Sequence, residues 1–195
     1  FDSEPDYLAN SFHILNWSIP WGGHHPGTII QYFYSEILKI TIFLNLDLKF
    51  TIIILRAFYF LIYLLLIYLS SPVLNEKKFF FRYILIFSII FPVINFHFSH
   101  FGVELILFGL SLLIWSLFYK QTYIKQSEDR NEIIACLLGI VVSIKLSSII
   151  LVLIYFFILF FLTKNTLKSK LYLIFKTSLI SLTIFVIFTL PSARY

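Results

Sequence analysis

The feature that most constrains this chain is a series of long apolar runs separated by short loops rich in lysine and arginine. Of its 195 residues, 59% are hydrophobic and only 13% are charged. A soluble domain carries about a quarter charged residues, and a membrane-spanning helix needs about 20 consecutive apolar residues. The pattern therefore predicts an all-α fold, a polytopic bundle of membrane helices.

Six spans are predicted after residue 50, and two long apolar stretches must each be divided to give them. Residues 82–120 are too long for one span and break at "NFHFSHFG", 95–102. Residues 133–162 contain one charge, Lys145, within "SIKLSS". The six ranges are 51–70, 83–97, 103–119, 133–146, 148–163 and 172–190.

The division near Lys145 follows from the basic loops. Lysine and arginine collect at 77–82, 120–130 and 164–176, and short basic loops stay on the cytoplasmic side. An even number of crossings must separate the last two loops, so the chain turns at Lys145 on the outer side. Residues 1–50, a non-cytoplasmic loop with juxtamembrane helices, share that side with the C-terminus.

The same distribution accounts for the net charge of +5. Because the basic residues lie in loops where topology explains them, we expect no nucleic-acid partner. The chain begins at Phe1 without methionine and stops at "LPSARY", directly after an apolar run. We therefore expect a piece of a longer protein.

Within the head, residues 27–44 read as an amphipathic helix lying in the membrane interface. Polar residues recur every four positions on one face, and 8–16 is a shorter partner helix. The apolar stripe is Ile30, Phe33, Ile37, Ile40 and Leu44, and the polar face is Gln31, Ser35 and Lys39.

An acidic cluster opens the chain in "FDSEPDY". On an extended stretch, Asp2, Glu4 and Asp6 would face one side, because the side-chain period there is two. Three neighbouring carboxylates repel one another unless a cation or a substrate donor offsets them. Hard oxygen ligands suit Mg²⁺ or Mn²⁺; the alternative is a solvated acidic loop.

Basic side chains form the other half of the candidate chemistry. His24 and His25 precede Pro26 at the predicted start of the interfacial helix, where an anion, a metal or a helix cap would suit them. Lys145 and Arg56 lie within apolar sequence. Each could bind a lipid phosphate or extend its charged end to the interface.

These residues resemble the GT-C membrane glycosyltransferases, especially the protein O-mannosyltransferase and lipid A aminoarabinose transferase branch. "DSEPDY" is similar to the acidic motif of the family's first outer loop, with Glu4 and Tyr7 in register. Ser3 stands where the family has aspartate, so that role would pass to Asp2 or Asp6. "HHPGTIIQYF" resembles the family's His-Pro-Pro motif through His25.

Three later segments extend the resemblance. "LRAFYFLIYLLLIYL" matches a span that begins with arginine, through Arg56. "FSHFGVEL" resembles an outer turn carrying Ser-Arg and an acid, with His100 for the arginine and Glu104 for the acid. "LLGIVVSIKLSS" is similar through Gly139 and Lys145. The chain would be the N-terminal half of such an enzyme.

The resemblance implies transfer of a sugar from a polyprenyl-phosphate carrier to an acceptor hydroxyl, with inversion. The acceptor would be a lipid, a glycan or a protein. The enzyme would lie in a bacterial inner membrane with its active site facing the periplasm. The alternatives are a transporter or flippase of lipid-linked saccharides and a non-catalytic scaffold subunit.

The implied roles divide among two groups of residues. Asp2, Glu4 or Asp6 would act as general base, and Lys145, Arg56 and His25 would bind the phosphate. Further site candidates are His24, His100, Glu104 and Tyr7, and a divalent metal would be held by Asp2, Glu4 and Glu104.

Overall fold

A computed structural model describes residues 4–16, 28–74, 103–123, 129–162 and 166–193. These residues form seven α-helices and one 3₁₀ turn and no strand, which confirms the all-α prediction for this part of the chain. The helices are α1 (Glu4–Leu15), α2 (Thr28–Phe43), α3 (Leu48–Leu74), α4 (Val103–Tyr123), α5 (Asp129–Ile144), α6 (Ile149–Leu162) and α7 (Leu167–Ala193).

The helices after residue 47 follow the apolar runs. Helix α3 contains the predicted span 51–70, α4 contains 103–119, and α7 contains 172–190. The 3₁₀ turn Leu146–Ser148 separates α5 from α6, in the segment where the sequence predicts a turn. The predicted span 83–97 lies outside the described residues.

Helix α7 packs along α5 and runs parallel to it, as three successive contacts show. Glu132 pairs with Lys176 at 2.7 Å, and one turn further the Ser181 hydroxyl donates to the Ala135 carbonyl at 2.8 Å. Gly139 then meets Ser181 and Ile184. Because the contact on α7 advances as the contact on α5 advances, both helices point the same way.

Helix α6 connects these two parallel helices and runs in the opposite direction. The Lys170 ammonium near the start of α7 donates to the Phe160 carbonyl near the end of α6, at 2.8 Å. The end of α6 and the start of α7 therefore lie together at one end of the bundle. The Lys145 turn lies at the opposite end, where α5 ends and α6 begins. We call the first the basic end, because it carries Lys168 and Lys170, and the second the Lys145 end.

Helix α6 connects the two ends. Its 14 residues rise about 21 Å at 1.5 Å per residue, whereas the hydrocarbon core of a bilayer is about 30 Å thick.

The interior is mostly apolar but also holds a set of small polar side chains, and large apolar side chains cover much of the outside. Buried polar residues are Asn10, Ser11, Gln31, Ser35, Thr41, Thr51, Ser70, Ser116, Asn131, Ser143, Ser148, Thr177 and Ser181. Exposed apolar residues include Phe43, Leu48, Leu61, Leu65, Leu153, Phe157, Phe161, Phe175, Leu179 and Leu182.

This distribution is typical of helices packed in lipid. Lipid gives no hydrophobic force between helices, so small residues and interhelical hydrogen bonds form the contacts. Monomeric soluble proteins rarely expose apolar patches larger than a few hundred Å². By length and composition, Leu48–Ser70 and Leu167–Thr189 could cross a membrane, and α4, α5 and α6 carry shorter apolar segments.

Helix α2 differs from the sequence interpretation in which of its faces is covered. Gln31 and Ser35 are buried, with 3% and 0% of their surface exposed, whereas Phe33 and Ile40 of the predicted stripe are exposed. The polar face is therefore covered by protein. The predicted apolar stripe is divided, because Ile30 is buried and Ile37 packs against the core, while Phe33, Ile40 and Leu44 are exposed.

Helix α2 also folds back beside α3. The Phe33 and Phe58 rings lie 5.0 Å apart, and the Tyr34 and Tyr59 rings 6.0 Å apart. Each pair lies at similar distances on the two sides of the turn near Asn45, which has a positive φ of 54°. The chain therefore turns back near Asn45, and the two helices approach each other at these two ring pairs.

Candidate functional site

The predicted site residues fall into three groups by what the structure describes. Asp2, His24, His25 and His100 lie outside the described residues. Glu4, Asp6 and Tyr7 lie in the first turn of α1, and Glu104 lies in the first turn of α4. Their backbone is helical. Only Arg56 and Lys145 have described side chains.

The prediction of an extended acidic stretch is wrong from Glu4 onward. Helix α1 begins at Glu4, so Glu4 and Asp6 are two residues apart on a helix. Successive helical residues are rotated by about 100°, so positions 4 and 6 point about 200° apart. The common face expected for alternating acids therefore does not form between these two. Asp2 precedes the helix and lies outside the described residues.

Lys145 occupies the junction between α5 and α6. Its backbone is extended, with φ −149° and ψ 116°. Its N–H donates to the Val141 carbonyl at 3.2 Å, and its carbonyl accepts from the Ser148 N–H at 2.9 Å. The side chain is half-buried. These bonds close the last turn of α5 and fix the lysine at the Lys145 end of the bundle.

Arg56 lies inside helix α3, about 12 Å from its first residue at 1.5 Å per residue. The preceding Leu55 is fully buried, the following Ala57 is exposed, and Arg56 itself is half-buried. Helix α3 packs mainly on α4, and α4 also packs on α5. Arg56 and Lys145 are therefore carried by two helices that flank α4.

The sequence interpretation missed four buried polar side chains, Asn10 and Ser11 on α1 and Gln31 and Ser35 on α2. All four are at least nine-tenths buried. The Ser35 hydroxyl donates to the Tyr32 carbonyl at 2.7 Å. The Asn10 Oδ1 atom is buried and has no hydrogen-bond partner among the described residues. The four-residue recurrence of Gln31 and Ser35 was the available signal, but it was assigned to an uncovered face.

A small groove with a volume of about 10 Å³, room for about one water molecule, lies between α4 and α6. Ser111, Ile114, Trp115, Leu151 and Tyr155 line it. None of these is an acid, a lysine, an arginine or a histidine. The groove therefore offers no positive charge to offset a phosphate and no carboxylate or imidazole to accept a proton from a hydroxyl at neutral pH.

The metal prediction is tested only in part. Among the described side chains, no three histidine, cysteine, aspartate or glutamate residues are close enough to hold a metal ion. Asp2 lies outside the described residues, and the side chains of Glu4 and Glu104 are not described. We assign no metal site and derive no step through one.

Gly139 has a structural role that the sequence did not reveal. It lies where α5 and α7 cross, and a Cβ atom there would be 2.6 Å from the Ser181 carbonyl oxygen. The glycine therefore allows the close contact that sets the position of α5, and with it the Lys145 turn.

Comparison with protein-family models, characterised proteins and solved structures finds no match to this chain.

Proposed function

We propose that this chain is part of a glycosyltransferase that transfers a sugar from a polyprenyl-phosphate carrier to an acceptor hydroxyl. The reaction takes place on the outer side of a bacterial inner membrane, facing the periplasm. The acceptor is the hydroxyl of a lipid, a glycan or a protein. The donor is itself a membrane lipid, so its phosphate lies at the membrane surface.

The observation that carries the proposal is the position of Lys145. It lies at the end of the bundle opposite Lys168 and Lys170, with the 14 residues of α6 between the two ends. Basic residues mark the cytoplasmic side of a membrane protein, so Lys145 belongs to the outer surface. A half-buried lysine ammonium at the membrane surface is a compact positive charge that can bind the phosphate of a lipid.

The distribution of side chains supports a position within the membrane. Polar groups of α5 and α7 bond to each other, through Ser181 and the Ala135 carbonyl, while the outer surfaces of α6 and α7 are apolar. Helices of this kind hold a lipid-linked substrate beside the bundle. A soluble enzyme would have to extract that substrate from the bilayer first.

The chemistry is a direct displacement at the sugar's anomeric carbon. A carboxylate of the set Asp2, Glu4 and Asp6 takes the proton of the acceptor hydroxyl. The hydroxyl oxygen forms a bond to the anomeric carbon as the bond from that carbon to the phosphate oxygen breaks. The electron pair leaves with the polyprenyl phosphate, whose added charge Lys145 and Arg56 offset. One displacement inverts the anomeric centre.

The test uses the complete protein in lipid nanodiscs with a panel of polyprenyl-phospho-sugars. Lys145→Gln should lower kcat by about 10²- to 10³-fold, as the loss of one stabilising donor does elsewhere. Lys120→Gln, a half-buried lysine near the C-terminal end of α4, is the matched control and should retain activity.

Two outcomes would count against the proposal. Equal activity of both lysine variants would remove Lys145 from the reaction. A wild-type protein that transfers no sugar from any donor, but moves lipid-linked saccharides between the leaflets of vesicles, would be a transporter instead. A protein that neither transfers sugar nor moves lipid-linked saccharides would be a scaffold subunit.

A further inference from the structure

We propose that the Lys145 turn lies about 6 to 9 Å below the outer boundary of the hydrocarbon core. There it forms a depression in the outer leaflet, into which it draws the phosphate of a membrane lipid. The inference rests on the proposed function for the choice of the outer side and deepens it, because it gives the depth of the phosphate-binding lysine. It does not require that any sugar is transferred.

The first observation is the length of the helices. Helices α5 and α6 contain 16 and 14 residues, so they rise about 24 and 21 Å, less than the roughly 30 Å of a hydrocarbon core. Helices α3, α4 and α7 contain 27, 21 and 27 residues, which is enough to cross that core. Among the described helices after residue 47, the two that are too short are therefore the two that meet at Lys145.

The second observation places the shortfall at the Lys145 end. At the basic end, the Lys170 ammonium donates to the Phe160 carbonyl at 2.8 Å, so the end of α6 is level with the start of α7. Towards the other end, Gly139 packs on Ile184. Helix α5 ends five residues after Gly139, whereas α7 ends nine residues after Ile184. Helix α7 therefore extends about 6 Å past the end of α5.

The third observation is the chemistry of the turn itself. Lys145 has an extended backbone, and Leu146–Ser148 form one 3₁₀ turn. Ser147 is exposed, and Lys145 is half-buried. At membrane depth, irregular backbone is tolerated only where it is buried in protein or lines a water-filled cavity, and a lysine there faces water or a partner charge. Because Ser147 is exposed, we infer that water reaches the turn from the outer side.

A depression of this kind recruits a lipid rather than a soluble anion. A helix pair shorter than the hydrocarbon core makes the bilayer thinner around it, so the phosphates of neighbouring lipids move toward the depth of the Lys145 ammonium. The exposed side chains next to the turn, Leu146, Ile149 and Ile150, are apolar. Acyl chains can pack against them directly below the headgroup, whereas inorganic phosphate has no apolar part to place there.

The depth of the turn can be measured by labelling rates. In a Cys136→Ser background, Ser147→Cys is compared with Lys49→Cys, an exposed position in the first turn of the longer helix α3. The complete protein is placed in phosphatidylcholine vesicles with short, medium or long acyl chains and treated from outside with an impermeant maleimide. The Ser147→Cys rate should fall about tenfold or more from the shortest to the longest chains, and the Lys49→Cys rate by less than about twofold.

Two results would overturn the depression. Ser147→Cys rates that match those of Lys49→Cys in every lipid would place the turn at the membrane surface. A Lys49→Cys variant that reacts while Ser147→Cys never does would mean that water does not reach the turn. If Ser147→Cys does not fold, Leu146→Cys, which is also an exposed position of the turn, takes its place with the same expectations.

The lipid phosphate is tested by protection of the same cysteine. In short-chain vesicles, added phosphatidic acid should lower the Ser147→Cys rate, relative to Lys49→Cys, by about threefold or more, and Lys145→Gln should abolish this protection. Lys120→Gln, the control near the C-terminal end of α4, should retain it. Absence of protection, protection that survives Lys145→Gln, or equal protection by inorganic phosphate would overturn the assignment of a lipid phosphate.

Sugar transfer is measured on the same vesicles, so the two proposals can fail separately. A protein that transfers sugar while its turn reacts as a surface position would refute the depression and retain the transferase. A protein that transfers no sugar, but shows both the dependence on chain length and the protection by phosphatidic acid, would refute the transferase and retain the depression.

Discussion

The close contact of α5 and α7 at Gly139 provides the most direct test of the architecture. In Gly139→Ala, the new Cβ atom would lie 2.6 Å from the Ser181 carbonyl oxygen and 2.7 Å from the Ile184 Cβ atom. Ordinary contacts of a Cβ begin at about 3.4 Å. The nearest atom belongs to the backbone of a helix, so relief requires the two helices to separate by most of an ångström.

Two opposing terms set the size of the effect. Overpacking a well-packed contact costs about 1–3 kcal/mol, and separation would also lengthen the 2.8 Å bond from Ser181 to Ala135. Alanine is a better helix former than glycine by about 1 kcal/mol. We therefore expect Gly139→Ala to lower the free energy of unfolding by about 1–2 kcal/mol, and Gly139→Leu to lower it further.

The matched control is the helical glycine Gly109 on α4. A Cβ atom there would meet side-chain atoms of Leu66 and Tyr63 at 3.0–3.4 Å. Side chains can shift more easily than a backbone carbonyl, so Gly109→Ala should stay within about 1 kcal/mol of the wild type.

The assay is reversible unfolding in mixed micelles, followed by circular dichroism over a series of denaturing detergent fractions. Gly139→Ala should unfold at a lower fraction than both the wild type and Gly109→Ala. If Gly139→Ala were at least as stable as Gly109→Ala, α5 and α7 would not be in close contact. The parallel arrangement that assigns Lys145 to one end of the bundle would then lose its support.

Three further predictions test the same arrangement. In a variant whose single cysteine, Cys136, is replaced by serine, Ser147→Cys and Ser169→Cys should react with a membrane-impermeant maleimide from opposite sides of sealed vesicles, and labelling from the same side would contradict the sidedness. Ser181→Ala should destabilise the protein by about 0.6 kcal/mol, the average for such bonds between membrane helices, and no change in the unfolding midpoint would mean that the bond is not formed. Lys145→Arg should preserve binding of a polyprenyl phosphate better than Lys145→Gln in a tryptophan-fluorescence titration, because it keeps the positive charge, whereas equal affinity of the two variants would exclude a charge-based role.

The helical content and several helix limits could be predicted from the sequence. Apolar runs of about 20 residues predict helices because a lipid-exposed backbone must satisfy its own hydrogen bonds. The turn at Lys145 was predicted from the basic loops on either side of it. The start of α7 also has a local signal, because Thr166 accepts from the Ser169 N–H at 3.4 Å and so caps the first turn.

The sequence did not reveal which face of each helix is covered by protein. In water, the apolar stripe of a helix marks its buried side, but lipid is as apolar as a leucine side chain, so the same stripe can face outward. The sequence therefore predicts an uncovered face at Gln31 and Ser35, whereas both are buried in the structure. For the same reason, the sequence did not show that α5 and α7 come into close contact at Gly139.

Composition and spacing are enough to predict that the chain is helical, where its apolar helices lie, and that a lysine interrupts the apolar stretch between two of them. The parallel course of α5 and α7 became visible only in the fold, as did the burial of Asn10 without a hydrogen-bond partner among the described residues. The fold also places Glu4 and Asp6 in the first turn of a helix rather than on an extended stretch. Packing and helical register depend on which helices meet, and a single apolar pattern allows several such arrangements.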